Sequence, residues 1–340
     1  MHHESLIPSN RSEDTLLLVK SIGLPGLIEG ENPPLNKTSS FLQLAELNKI
    51  PLLFLEFHSE FGKHLKAQLS SYWEKHRKTL KLTALVSSLL EESDICYTIF
   101  KTLKPFPHTP ADIDVLLRSG KDLLKASQIL EKGSLKPLDK DHYGLTMLSV
   151  NHGLNVDLTT EVAVSSFIYL DKSLLFKHMT GVEIADFKVQ TLQPPADLVT
   201  VAAHSLYKEQ MYTLSDYYTL ALSSQHYKEA LKLAEDSHAS FALEVALKLT
   251  RNITVNAFGS DNNLIEMLEN ALQIVNNEGI QAVKRFDLPM KYPPQTLLRG
   301  LLKKLLEDPV SRNSLPTALK SALQPNFINR LLDHITRKAY

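Results

Sequence analysis

The sequence predicts an α+β fold: a mixed β-sheet core with helices, flanked by N-terminal helices and followed by a helical C-terminal domain. Three observations predict it. Apolar residues recur at helical spacing between residues 41 and 92, strand-like runs surround one amphipathic helix between 94 and 158, and the helical period returns beyond 161. The composition suits a packed chain, since 43% of the 340 residues are apolar and 22% charged. The net charge of −1 gives no global field directed at nucleic acid or an anionic membrane. The single cysteine, Cys96, excludes an intrachain disulfide and a Cys-rich zinc site, and it reads as a small buried hydrophobe in a strand. No apolar run approaches the roughly 18 residues that span a bilayer. The opening MHHESLIPSNRSEDT lacks the apolar core of a secretory signal, so the expectation is a soluble, cytoplasmic protein without membrane association.

In chain order, residues 1–40 give a polar start, a helix over 14–22 and a hinge at Asn32-Pro33-Pro34. Residues 41–92 give three helices, the first interrupted near Pro51. Their polar faces carry Lys63, Lys66, Lys75, Arg77, Lys78 and Lys81, a pattern ordinarily solvated. Ile95, Tyr97, Ile99 and Leu103 suggest a strand over 94–103. Ser119 caps a helix that ends at Gly133, and HYGLTMLSV, Asn151-His152-Gly153 and LNVDL form a β-hairpin. After that, helices are expected over 165–178, 194–209 and 216–224, the last capped by Ser215. Residues 226–340 read as wholly helical, with breaks at Gly259, Pro293-Pro294, Pro309 and Pro325.

The chemistry concentrates between Tyr97 and Ser119. As a strand, Asp112-Ile113-Asp114-Val115-Leu116-Leu117 sends Ile113, Val115 and Leu117 to one face and Asp112 and Asp114 to the other. The two acids then stand roughly 6 to 7 Å apart at Cα, near enough for both side chains to meet one divalent cation. Bare, they repel; a hard cation such as Mg²⁺ resolves the conflict while keeping waters and substrate phosphates as further ligands. Asp157 lies on the second strand of the hairpin, 43 positions beyond Asp114.

With these acids placed, the chain resembles the nucleotidyltransferase superfamily of the DNA polymerase β type, in particular its uncharacterised group related to toxin-type members. The family signature is an apolar residue, Gly, then Gly or Ser, a spacer, and Asp-apolar-Asp with a later third acid. Here Thr102 stands where the Ser would be, nine residues intervene before Asp112-Ile113-Asp114, and Asp157 takes the third position. The resemblance runs from about residue 41 to 222, and downstream His204, Lys208 and Asp216-Tyr217-Tyr218 resemble the family's helical segment. Lys101-Thr102 replaces the family's glycine, which lets backbone N–H groups approach a triphosphate closely.

The pattern along the chain and the resemblance together divide it into four parts: 1–92 as an N-terminal helical region, 93–160 as the nucleotidyltransferase core, 161–225 as core-associated helices and 226–340 as a C-terminal helical domain, the last without a counterpart in the resemblance. The resemblance implies a Mg²⁺-dependent transferase, with two ions and Mn²⁺ as a substitute, on Asp112, Asp114 and Asp157. The NTP would lie against Lys101, Thr102, Lys104, His204 and Lys208. The acceptor would be a hydroxyl on a tRNA end, a protein or a small molecule. The alternatives are an inactive binding or regulatory module of the toxin–antitoxin kind, favoured by Lys101-Thr102, and a phosphotransferase on the same fold. Residues 279–340 hold eleven Lys/Arg against four Asp/Glu, which would either dock RNA or complement an acidic surface of the same chain.

Overall fold

The computed structural model describes residues 11–184, 186–274 and 286–322. Four helices open the chain: α1 (Arg11–Ile22), α2 (Thr38–Leu47), α3 (Pro51–His58) and α4 (Lys63–Glu92). Pro51 sits at the first position of α3, where its missing N–H costs nothing. Then come β1 (Tyr97–Ile99), β2 (Asp112–Leu117), α5 (Gly120–Lys132), β3 (Leu135–Lys140), β4 (Gly144–Ser149) and β5 (Leu154–Thr159). Ser119 caps α5 as expected, its hydroxyl accepting from Asp122 N–H.

From residue 161 the structure departs from the helical expectation. The helix expected over 165–178 is instead the hairpin β6 (Val162–Val164) and β7 (Phe167–Leu170), followed by the short α6 (Lys172–Lys177). Ser165 and Ser166 both take left-handed backbone, at φ 47° and 71°, which turns the chain and forbids a continuous helix. A second hairpin, β8 (Met179–Ile184) and β9 (Phe187–Leu192), precedes α7 (Pro194–Ala203), β10 (Met211–Tyr212) and α8 (Leu214–Leu222). The cap of α8 is Thr213, not Ser215: Thr213 and Asp216 form a reciprocal capping box.

The remaining elements are α9 (Tyr227–Asp236), α10 (Ser240–Phe258), α11 (Asn263–Ile274), β11 (Met290–Lys291), α12 (Pro294–Glu307) and α13 (Pro309–Ala322). The C-terminal part is therefore not wholly helical, because β11 pairs with β10. Gly259 ends α10, while Pro294 and Pro309 open α12 and α13; Pro325 lies outside the described residues. So do Lys284, Arg285, Arg330, Arg337 and Lys338 of the basic region. Of the basic residues that are described, Lys304 is 1% exposed and is tied inward to Asp308, Ser237 O and His238 O. Cys96 is exposed, contrary to its sequence reading, because it points away from the core that its neighbours Ile95 and Tyr97 enter. No helix among the described residues is long and apolar enough to cross a membrane.

The main sheet is mixed and seven-stranded, in the order β3-β4-β5-β2-β1-β9-β8, with β2–β5 and β1–β9 parallel. Its two faces bury different cores. Ile113, Val115, Leu117, Val156 and Leu158 pack beneath Leu82, Val86 and Leu90 of α4 and Ala126 and Leu130 of α5. On the opposite face Leu116 joins a larger core built from helices at both ends of the chain. Asp112 and Asp114 precede Leu116 on that second face, so the strand's alternation aims both acids toward the helical layer.

Candidate active site

The acids meet through strand register. In the parallel β2–β5 pair, Asp114 lies opposite Asp157 and Asp112 opposite Asn155, which brings the three acids onto one face of two neighbouring strands. Thr146 on β4 donates its hydroxyl to Asp157 Oδ1 at 2.7 Å and so fixes the third acid. Burial together with the charges of Asp114 and Asp157 pushes the Asp112 carboxyl up to about 6. Crowded carboxylates of this kind mark a place that lacks positive charge.

Lys101 supplies some of that charge. Its Nζ lies 2.9 Å from Asp114 Oδ1, and the two side chains are 10% and 14% exposed. Burial lowers the lysine's pKa, while Asp114 opposes the shift; the Asp114 carboxyl, although also buried, is held low chiefly by Lys101. Lys101 adopts φ 62° in a tight turn closed by Thr102 N–H donating to Phe100 O at 2.8 Å. A lysine thus holds left-handed backbone here, a local strain of the kind retained at functional sites. Thr102 is committed to the scaffold: its Oγ1 accepts from Asp114 N–H at 2.9 Å and donates to Phe100 O at 3.3 Å. The hydroxyl therefore positions the backbone of Asp114.

His204 completes the cluster from a different element. After α7 the helix widens into a π turn, His204–Glu209, so His204 pairs with Glu209, five residues on, rather than sharing an α-helical face with Lys208. Its Nε2 lies 3.1 Å from Glu209 Oε1, and its Nδ1 lies 3.1 Å from the Tyr169 hydroxyl and 3.5 Å from Lys101 Nζ. Burial and Lys101 lower its pKa to about 3, so the ring is neutral at physiological pH. Two donors at Nδ1 and a carboxylate at Nε2 assign the proton to Nε2. His204 thus holds Lys101 as a neutral acceptor. Lys208 lies close enough to act on the charges of Asp112, Asp114 and Lys101.

Lys101, Asp112, Asp114, His204 and Lys208 line a cleft of about 660 Å³, together with Lys49, Lys75, Lys78 and Lys104. Sequence reasoning named Lys104 for this site and left Lys75 and Lys78 on a solvated face. It missed Lys49, Tyr169, Asp197 and Glu209. Asp197 accepts from Lys101 N–H at 3.4 Å, and no local pattern announces that contact, 96 positions away. Lys49 left a faint signal in its place between α2 and the proline of α3, where a turn is required.

The donor set suits a hard divalent cation. Asp112 has no ammonium within ion-pair distance among the described residues, and Asp114 and Asp157 each keep one oxygen outside the bonds described above. No three His, Cys, Asp or Glu side chains among the described residues already converge as a metal cage. Two carboxylates completed by waters and substrate phosphates are the usual arrangement for Mg²⁺.

No protein-family description matches the sequence, and no curated protein matches it significantly. Among solved structures, the crystal structure of an antigenic nucleotidyltransferase-like protein from Paracoccidioides brasiliensis aligns with a TM-score of 0.34 and 14% sequence identity, covering 58% of this chain and 92% of that one. It bears the superfamily name that the acidic motif raised, and an alignment so loose carries no argument about this chain.

Proposed function

We propose that the chain is a divalent-cation-dependent nucleotidyltransferase, moving a nucleoside monophosphate from an NTP to a hydroxyl acceptor with release of pyrophosphate. The observation that carries this reading is the pairing of Asp114 with Asp157 across β2 and β5, with Asp112 on the same face. Asp112 and Asp114 would hold Mg²⁺ or Mn²⁺, and Asp157 would share a second ion or take the acceptor proton. The bound ions would supply Lewis acidity at the phosphates and acidify the acceptor hydroxyl. Lys104 and Lys208 would neutralise triphosphate oxygens, Thr102 fixes the backbone of Asp114, and His204 orients Lys101.

Incubation with each α-labelled NTP, Mg²⁺ and a cell extract tests the reading. Label on an acceptor together with pyrophosphate supports it, whereas ADP release marks phosphoryl transfer. Absence of both label transfer and Mg²⁺-dependent NTP binding would remove the enzyme.

A second reading, a binding or regulatory module, has the Lys101–Asp114 pair in its favour, since it neutralises an acid from within the chain. In the enzyme reading Lys101 must leave Asp114 when a cation arrives. Lys101→Met is then expected to tighten nucleotide-free Mn²⁺ binding about tenfold, roughly the 1.4 kcal/mol of one lost competing charge. Electron paramagnetic resonance of free Mn²⁺ measures it, and unchanged affinity would show that Lys101 and metal do not compete.

A further inference from the structure

The cleft has a second wall that the acids and their immediate neighbours leave unused. Tyr72, Lys75, Lys78 and Thr79 line it from α4, and Lys49 lines it from the turn between α2 and α3. Lys49, Lys75 and Lys78 are exposed, and among the described residues none has a carboxylate within ion-pair distance. Two acids of the same lining are engaged within the chain: Glu46 accepts the Tyr72 hydroxyl at 2.7 Å, and Asp216 accepts from Thr213 N–H and Oγ1. The Lys75 ammonium lies 4.7 Å from the centre of the Tyr72 ring. Lys49 reaches the cleft from left-handed backbone, at φ 62°, a conformation that costs a non-glycine residue energy. In a chain whose net charge is −1, unpaired cations gathered in one cavity repel each other until an anion enters.

We propose that this wall binds the acceptor and that the acceptor is the end of a single-stranded RNA, with Lys49, Lys75 and Lys78 meeting its phosphates and Tyr72 offering a ring to a base. The proposal rests on the nucleotidyl-transfer reading of the acid floor. RNA fits better than a phosphorylated protein because cations from two elements beside an aromatic ring match a repeating phosphate chain with stackable bases. In the transfer, the terminal hydroxyl oxygen bonds to the α-phosphorus and its proton passes to Asp157. The bond from the α-phosphorus to the bridging oxygen breaks, and pyrophosphate leaves.

The test is fluorescence anisotropy of a labelled, unstructured RNA 12-mer with the full chain, in EDTA and without nucleotide. Three phosphate contacts predict a slope of about −2 for log affinity against log salt, at about 0.7 per contact. Lys75→Glu/Lys78→Glu should weaken binding at least tenfold and reduce the slope to about −0.7. Lys66→Glu/Lys81→Glu, on the same helix but outside the cleft lining, should leave it unchanged. Absence of RNA binding, equal loss in both double variants, or equally good competition by a multiply phosphorylated peptide would overturn the proposal. RNA bound through Lys75 and Lys78 but never labelled from any NTP would support the binding wall and overturn the transfer reading, so the two failures are separable.

Discussion

Asp114→Asn is expected to lower nucleotidyl transfer about a thousandfold, near 4 kcal/mol of transition-state stabilisation, because it removes a charge through which the cation would act. Initial rates of label transfer measure it, and a loss of less than tenfold would exclude Asp114 from the chemistry. The substitution keeps the side-chain volume but strands a buried ammonium, since Lys101 has Asp114 as its ion-pair partner at 2.9 Å. Breaking a buried pair from one side costs about 3 kcal/mol, so the single variant should also melt earlier. Lys101→Met/Asp114→Asn removes both charges. It should recover most of the melting temperature and none of the activity, which separates a folding defect from a catalytic one.

Asp112→Asn should do the reverse to stability. Burial and the neighbouring acids raise this carboxyl from 3.8 to about 6. A raised carboxyl favours the folded state while protonated, so its contribution is full below the unfolded value and is lost as pH rises through about 6. At pH 8 the wild type carries the whole penalty, and the asparagine variant should be more stable by about 2 kcal/mol, after discounting for partial exposure. Melting curves of the two proteins should coincide near pH 4 and separate by several degrees at pH 8. Added Mg²⁺ should narrow the gap by stabilising only the wild type. Parallel curves at every pH would mean that neither burial nor the neighbouring Asp114 and Asp157 raises the Asp112 carboxyl.

The sequence made the acid-bearing strands legible because their alternation is unambiguous. Ile113, Val115 and Leu117 are all buried in one core, and Leu116, in step with the acids, enters the other. The helices α2, α3 and α4 and the hairpin β4–β5 were legible for similar reasons, long periodicity in one case and a turn sequence in the other. The strands β6 to β9 were not. Phe167-Ile168-Tyr169-Leu170 is a short apolar run that fits strand or helix equally, and only the left-handed serines before it settle the choice. β3 escaped notice because all but Leu135 of its residues are exposed and it carries Pro137 on a sheet edge. At the site, the sequence supplied the acids and named Lys101, but not the ion pair that ties Lys101 to Asp114. That contact depends on Lys101 holding a backbone conformation its residue type disfavours, stabilised by an ion pair and a π turn that no local pattern encodes.

The helix α4 gives the cleft a mechanical character. It is 30 residues long, about 45 Å at the usual rise. Its beginning, Leu65, is locked in the helical core, and its end, from Leu82 to Leu90, is locked beneath the sheet. Lys75, Lys78 and Thr79 lie on the span between these anchorages and face the cleft. A helix clamped at both ends works as a strut, and its middle has no proline or glycine at which to bend. Lys75 and Lys78 therefore project from a beam held at both ends, and their backbone positions are set by two separate cores.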